Sequence, residues 1–154
     1  MVSHAIEVRN LYKIFGPRGG DYVDAVKKGM GKAELNQKYG HVLGLRDINI
    51  SMPAGGIMVV MGLSGSGKST LIRHINRLID PTAGEVLYDG VDVCRMNEND
   101  LREFRRHKTA MVFQKFALLP HRTVLDNAAY GLEVQGVAET ERYRTAMRWI
   151  ERVG

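Results

Sequence analysis

Residues Gly62, Leu63, Ser64, Gly65, Ser66, Gly67, Lys68, Ser69 and Thr70 run consecutively, and their types and spacing point to phosphate chemistry. The run satisfies G-x-x-x-x-G-K-[ST], with Gly62, Gly67, Lys68 and Ser69 in the fixed positions. Glycines let a backbone curl closely around a polyphosphate and aim its N–H groups inward. Lys68 offers a point charge for β and γ phosphates, and the Ser69 hydroxyl can ligate Mg²⁺. A purely structural glycine turn is the competing reading, and the flanks argue against it.

Two elements must hold this loop. Ile57-Met58-Val59-Val60-Met61 is a short apolar run of the kind a buried parallel strand needs. After the loop, Leu71, Ile72, Ile75, Leu78 and Ile79 recur at helical spacing, with Arg73, His74, Asn76 and Arg77 between them. Strand, glycine loop and helix place a helix N-terminus against the phosphates.

The remaining elements follow from alternation, breakers and caps. Ala5 to Phe15 predicts an edge strand with Ile6, Val8 and Leu11 on its apolar side, broken by Gly16-Pro17-Arg18-Gly19-Gly20. Two short helices are expected over Asp21 to Lys28 and Lys32 to Tyr39, the second stopped by Gly40. A strand over Leu45 to Met52 ends at Pro53-Ala54-Gly55-Gly56, and Glu85 to Tyr88 is a short strand closed by the turn Asp89-Gly90. Asp100 to His107 reads as helix and Thr109 to Phe113 as strand. The pattern is helical again over Val124 to Val134 and Thr140 to Val153.

Composition narrows the class. The chain of 154 residues is 44% hydrophobic and 25% charged, ordinary for a globular domain with its own core. No apolar stretch approaches a membrane span, and the first residues lack the basic and apolar regions of a secretion signal. Cys94 is the lone cysteine, which excludes an internal disulfide and fits a reducing compartment. A net charge of +5 could suit nucleic acid or an anionic membrane surface, but no nucleic-acid motif appears. The densest basic cluster, Arg102, Arg105, Arg106 and Lys108, reads as the wet face of an amphipathic helix. His74 and His121 have no partner spacing for metal or catalysis and read as structural. Asp89 superficially ends a strand as a magnesium-ordering carboxylate does, but the following glycine makes it a turn residue.

From Ile6 onward the chain resembles the N-terminal half of the ATPase subunit of an ABC transporter. The phosphate loop alone is shared with many kinases, GTPases and helicases. A second marker is Met111-Val112-Phe113-Gln114, which follows Lys68 at the distance where this family places its Q-loop. Ala83 to Gly90 resembles the family's antiparallel hairpin, and Val124-Leu125-Asp126-Asn127 its first helix after the Q-loop. Met61 to Thr70, Asn76 to Thr82 and Phe116 to Asn127 narrow the likeness to importers of glycine betaine, proline betaine and choline. An insertion from about Pro17 to Val42 points the same way.

The resemblance implies a three-layer α/β phosphate-loop (P-loop) NTPase domain of ABC ATPase type, truncated, with an antiparallel β edge and the start of a helical subdomain. Residues 1–114 would be the N-terminal part of the core and 115–154 the beginning of the helical subdomain. ATP with Mg²⁺ is the implied ligand, cradled by Gly62 to Thr70. Phe15 would stack on adenine, unless it is a plain core phenylalanine. Gln114 would reach the Mg²⁺ shell and attacking water, unless it simply closes a strand. Lys115 to Arg122 would help form the groove for a coupling helix of the permease. Implied partners are a second ATPase subunit, two membrane permease subunits and, indirectly, a periplasmic or lipid-anchored substrate-binding protein, at the cytoplasmic face of the inner membrane. Nucleic acid is not among them. Alternatives are the ATPase of another importer, for amino acids or phosphonates, or a non-catalytic nucleotide-binding remnant. The family's Leu-Ser-Gly-Gly signature, its strand ending in Asp-Glu and its switch histidine do not occur in these 154 residues. The chain is therefore expected to be a truncated piece, inactive as an ATPase by itself.

Overall fold

The computed structural model describes residues 4–115 and 117–154. Two compact units divide the chain, Met1–Asn97 and Glu98–Gly154.

The first unit is built on a four-stranded antiparallel sheet in the order β2-β1-β3-β4. β1 spans His4–Phe15, β2 Val42–Pro53, β3 Ala83–Tyr88 and β4 Val91–Asp92. β1 pairs with both β2 and β3, so the strand expected at an edge is interior. Its alternation reports how residues divide between faces and carries no information about neighbours within the sheet.

Between β1 and β2 the insertion forms a short 3-10 turn at Gly19–Tyr22, then α1 (Val23–Lys27) and α2 (Lys32–Tyr39). These pack Val23, Val26 and Leu35 against Tyr12, Ile14 and Leu43 of the sheet. His41 closes the insertion's base, its Nδ1 lying 2.7 Å from the Tyr39 carbonyl and its Nε2 2.8 Å from that of Pro17. A second cluster joins Val8, Leu11, Leu45 and Val86 to Leu71 of α3 (Lys68–Ile75). The β3–β4 turn holds Asp89 at φ 48° and Gly90 at φ 82°. Two left-handed residues between paired Tyr88 and Val91 are the signature of a two-residue hairpin turn, as Asp-Gly predicts.

Two expected strands do not form. Residues 57–61 carry no regular structure, with Ile57 96% and Met61 85% exposed. Residues 109–113 likewise lack strand structure, and Val112 is fully open. A parallel core strand exists only through hydrogen bonds to neighbours on its flanks. Among the described residues neither run pairs with a strand of the sheet, whose outer strands β2 and β4 each have one partner. The helix after the loop is also shorter than its apolar pattern, ending at Ile75. Arg77, at φ 50°, takes the left-handed position of a C-terminal stop. Leu78 N–H donates to the Arg73 carbonyl at 2.8 Å and Arg77 N–H to that of His74 at 2.9 Å.

The second unit contains α4 (Glu98–His107), α5 (Val124–Val134) and α6 (Glu139–Val153). α4 buries Phe104 and leaves most of its arginine side outward, as expected for an amphipathic helix. α5 begins on a capping box in which Thr123 Oγ1 accepts from Asp126 N–H and the Asp126 carboxylate accepts from Thr123 N–H. Ala129 and Ala146 are buried where α5 and α6 pack. Among the described residues, no helix is long and apolar enough to cross a membrane.

Candidate functional site

The phosphate loop follows the irregular 57–61 run and leads into α3. Gly67 is the cap residue of that helix at φ 96°, with no side chain to occupy the free N–H groups of the first turn. A Cβ there would stand 2.8 Å from the Gly44 carbonyl oxygen and 3.0 Å from Leu45 Cδ2. Only glycine allows the loop to lie this close to β2 in this conformation.

Lys68 bends over the loop. Its Nζ donates to the carbonyls of Gly62 and Leu63 at 2.7 Å each and lies 3.4 Å from Ser66 Oγ. The ammonium is thus held at the loop's centre, beside the helix N-terminus. Ser69 is exposed at the second position of α3. One cation, two helix-terminal hydroxyls and the backbone of an exposed glycine loop form a donor set suited to a polyphosphate carrying a hard metal ion.

Phe15, the last residue of β1, lies beside this loop. It is 38% exposed, so part of its ring faces outward rather than filling the core. Its ring rests on Gly44, whose carbonyl in turn abuts Gly67. Lys13 Nζ lies 5.2 Å from the ring centroid and donates to the Asp80 carbonyl at 2.8 Å. The structure therefore brings Phe15 and the glycine loop together through a residue that their sequence positions do not reveal. Gln114 belongs to the second unit, exposed on a segment without regular structure.

Supporting groups behave as scaffold. His74, fully buried on α3, has Nδ1 2.7 Å from the Thr70 carbonyl. Burial pulls its pKa below the ordinary value and the Lys13 charge acts in the same sense, opposing the Thr70 carbonyl. Neutral His74 thus donates to Thr70 and braces the end of the loop. Arg77 ties the far end of α3 to the segment after β4. Its Nε donates to Asp80 Oδ1 at 2.7 Å, and Nη1 to the carbonyls of Met96 at 2.6 Å and Val93 at 3.2 Å. Burial pushes the Cys94 thiol up to about 11, which keeps it protonated and unreactive at neutral pH.

In the second unit, the residues before α5 are folded onto that helix. Asn127 accepts from Leu119 N–H and donates to the carbonyls of Leu119, Arg122 and Thr123. Arg122 pairs with Glu133 at 2.6 Å and stacks over Tyr130. Beside them lies an open, largely apolar groove lined by Leu118, Leu119, Pro120, Val124 and Ala128. Phe116, which opens the matching motif, lies outside the described residues.

The chain is 50% identical over 149 residues to the glycine betaine/proline betaine transport system ATP-binding protein ProV of Salmonella typhimurium, covering 97% of this chain and 37% of that protein. It is 47% identical over 149 residues to the glycine betaine transport ATP-binding protein OpuAA of Bacillus subtilis, covering 97% and 36%. The chain thus spans little more than a third of the length of these curated relatives. Among solved structures, the ATP-binding cassette MJ0796 in a dimeric post-hydrolysis state with ADP and Pi superposes with a TM-score of 0.73 at 28% identity, over 93% of this chain and 54% of that one. Residues 45–154, which include the glycine loop, its helix and Gln114, match the ABC transporter family model, and the chain belongs to that family.

Proposed function

We propose that this chain is the nucleotide-binding part of the ATPase subunit of an importer for glycine betaine, proline betaine or a related quaternary amine. The observation that carries the reading is the exposed glycine loop at the N-terminus of α3, with the half-open Phe15 ring at its side. The ordered insertion of α1 and α2, clasped by His41, supports the narrower substrate class through its resemblance to the quaternary-amine subfamily.

In this reading Gly62 to Thr70 wrap the phosphates, Lys68 leaves its loop carbonyls for the β and γ phosphates, and Phe15 stacks on adenine. Stacking suits this position because a π face binds a base with little demand on its identity. Ser69 and Gln114 would hold Mg²⁺, which when bound neutralises phosphate charge. Gln114 would also orient the attacking water. Residues 1–114 act as the nucleotide-binding core and 115–154 as the start of the helical subdomain, whose groove at Leu118 to Ala128 receives a permease segment. The working assembly pairs two such subunits beneath two permease subunits at the cytoplasmic face of the membrane, fed by a substrate-binding protein outside.

Calorimetry with Mg-ATP tests the reading. Lys68→Ala removes a charge-assisted contact and is expected to lower affinity by roughly ten- to a hundredfold. Unchanged affinity in a folded Lys68→Ala variant overturns the assignment.

A further inference from the structure

We propose that Gly44 is a positioning residue for nucleotide binding, the seat that sets the Phe15 ring at the height of the phosphate loop. The proposal rests on the reading that Phe15 carries the base. Three observations support it. First, Gly44 lies at a bulge. Lys13 pairs with Leu45 and Ile14 with Leu43, so Gly44 is the extra residue on β2. Leu43 and Leu45, on either side of it, join different core clusters.

Second, a side chain at this bulge would displace the Phe15 ring. A Cβ on Gly44 would lie 2.6 Å from Phe15 Cε2 and 3.2 Å from Cδ2. The ring occupies the place a side chain would take. Third, the same residue also meets the loop, because a Cβ on Gly67 would stand 2.8 Å from the Gly44 carbonyl oxygen. One residue thus fixes the separation between the base platform and the phosphate cradle. Glycine inside a strand marks such close approaches, and here the approaching group is an aromatic ring.

Gly44→Ala leaves the carbonyl in place but pushes the ring outward, away from where a base spanning from the loop would meet it. We measure binding of Mg-ATP, and of inorganic tripolyphosphate as a probe without a base, to the 154-residue chain and its Gly44→Ala, Phe15→Ala and doubly substituted variants. Gly44→Ala is expected to weaken Mg-ATP by about tenfold while leaving tripolyphosphate unchanged. In the Phe15→Ala background the same change is expected to have no further effect, because the clash is gone. Unaltered ATP affinity in Gly44→Ala overturns the proposal, as does an equal loss with and without the ring. Should Gly44→Ala fail to fold, a folded double variant binding like Phe15→Ala sustains the proposal, and an unfolded double variant overturns it. Wild-type ATP affinity in Phe15→Ala instead overturns the stacking reading itself, which separates the two failures.

Discussion

His74 gives the loop a support whose strength depends on pH. It sits fully buried one helical turn beyond Thr70 and stays neutral because burial disfavours its charged form. The folded pKa lies below the ordinary 6.5, so between the two values the unfolded chain binds more protons than the folded one. Stability from this group is complete above the ordinary value and lost as pH falls through the folded value. Thermal melts from about pH 7.5 down to about pH 5.5 are expected to show a falling midpoint. His74→Gln, which is uncharged and can still donate to Thr70, is expected to flatten that slope. An equally steep slope in the variant would exclude His74 as the source. The carboxylates of Asp126 and Glu133 are held below their ordinary values, by Thr123 and Arg122 respectively, and so titrate at lower pH than this window.

The end of α3 shows how an element can be stopped by a residue whose sequence signal is weak. Arg77 adopts a left-handed backbone that glycine would take at no steric cost, while its side chain reaches Asp80 and the carbonyls of Val93 and Met96. Arg77→Ala is expected to destabilise the first unit by about 2 kcal/mol through loss of charge-assisted bonds, with the backbone cost retained. Arg77→Gly loses the same bonds but relieves the backbone, and is expected to recover about 1 kcal/mol of that in urea denaturation. A glycine variant less stable than the alanine one would refute this division. β2, α2, α5, α6 and the Asp89-Gly90 hairpin were legible because alternation, caps and turn residues act within each element. The runs at 57–61 and 109–113 were not, since a buried parallel strand is defined by its neighbours rather than by its own residues. The candidate site divides in the same way. The glycine loop is local and readable, whereas the seat at Gly44 arises from a bulge that brings Phe15 and Gly67 together from distant positions.

At the scale of the molecule, the phosphate-holding and phosphate-cleaving functions come apart. On the proposed reading Gly62 to Thr70 and Lys68 grip a triphosphate, with cation, amides and helix terminus within one unit. Cleavage asks for more: in-line attack needs an ordered metal, a positioned water and charge stabilisation around the whole γ-phosphate. The 154 residues contain no Leu-Ser-Gly-Gly run and no Asp-Glu pair, which in the family they resemble close the site across a dimer and order the metal and water, respectively. The uncovered apolar side chains of Ile57, Val59, Met61 and Leu63 further favour self-association of the free chain. The purified chain is therefore expected to bind Mg-ATP weakly and to release phosphate only at the background rate. A colorimetric phosphate assay, run with and without Mg²⁺ and alongside Lys68→Ala, checks this. Steady, Mg²⁺-dependent release that Lys68→Ala abolishes would show that these 154 residues suffice for turnover.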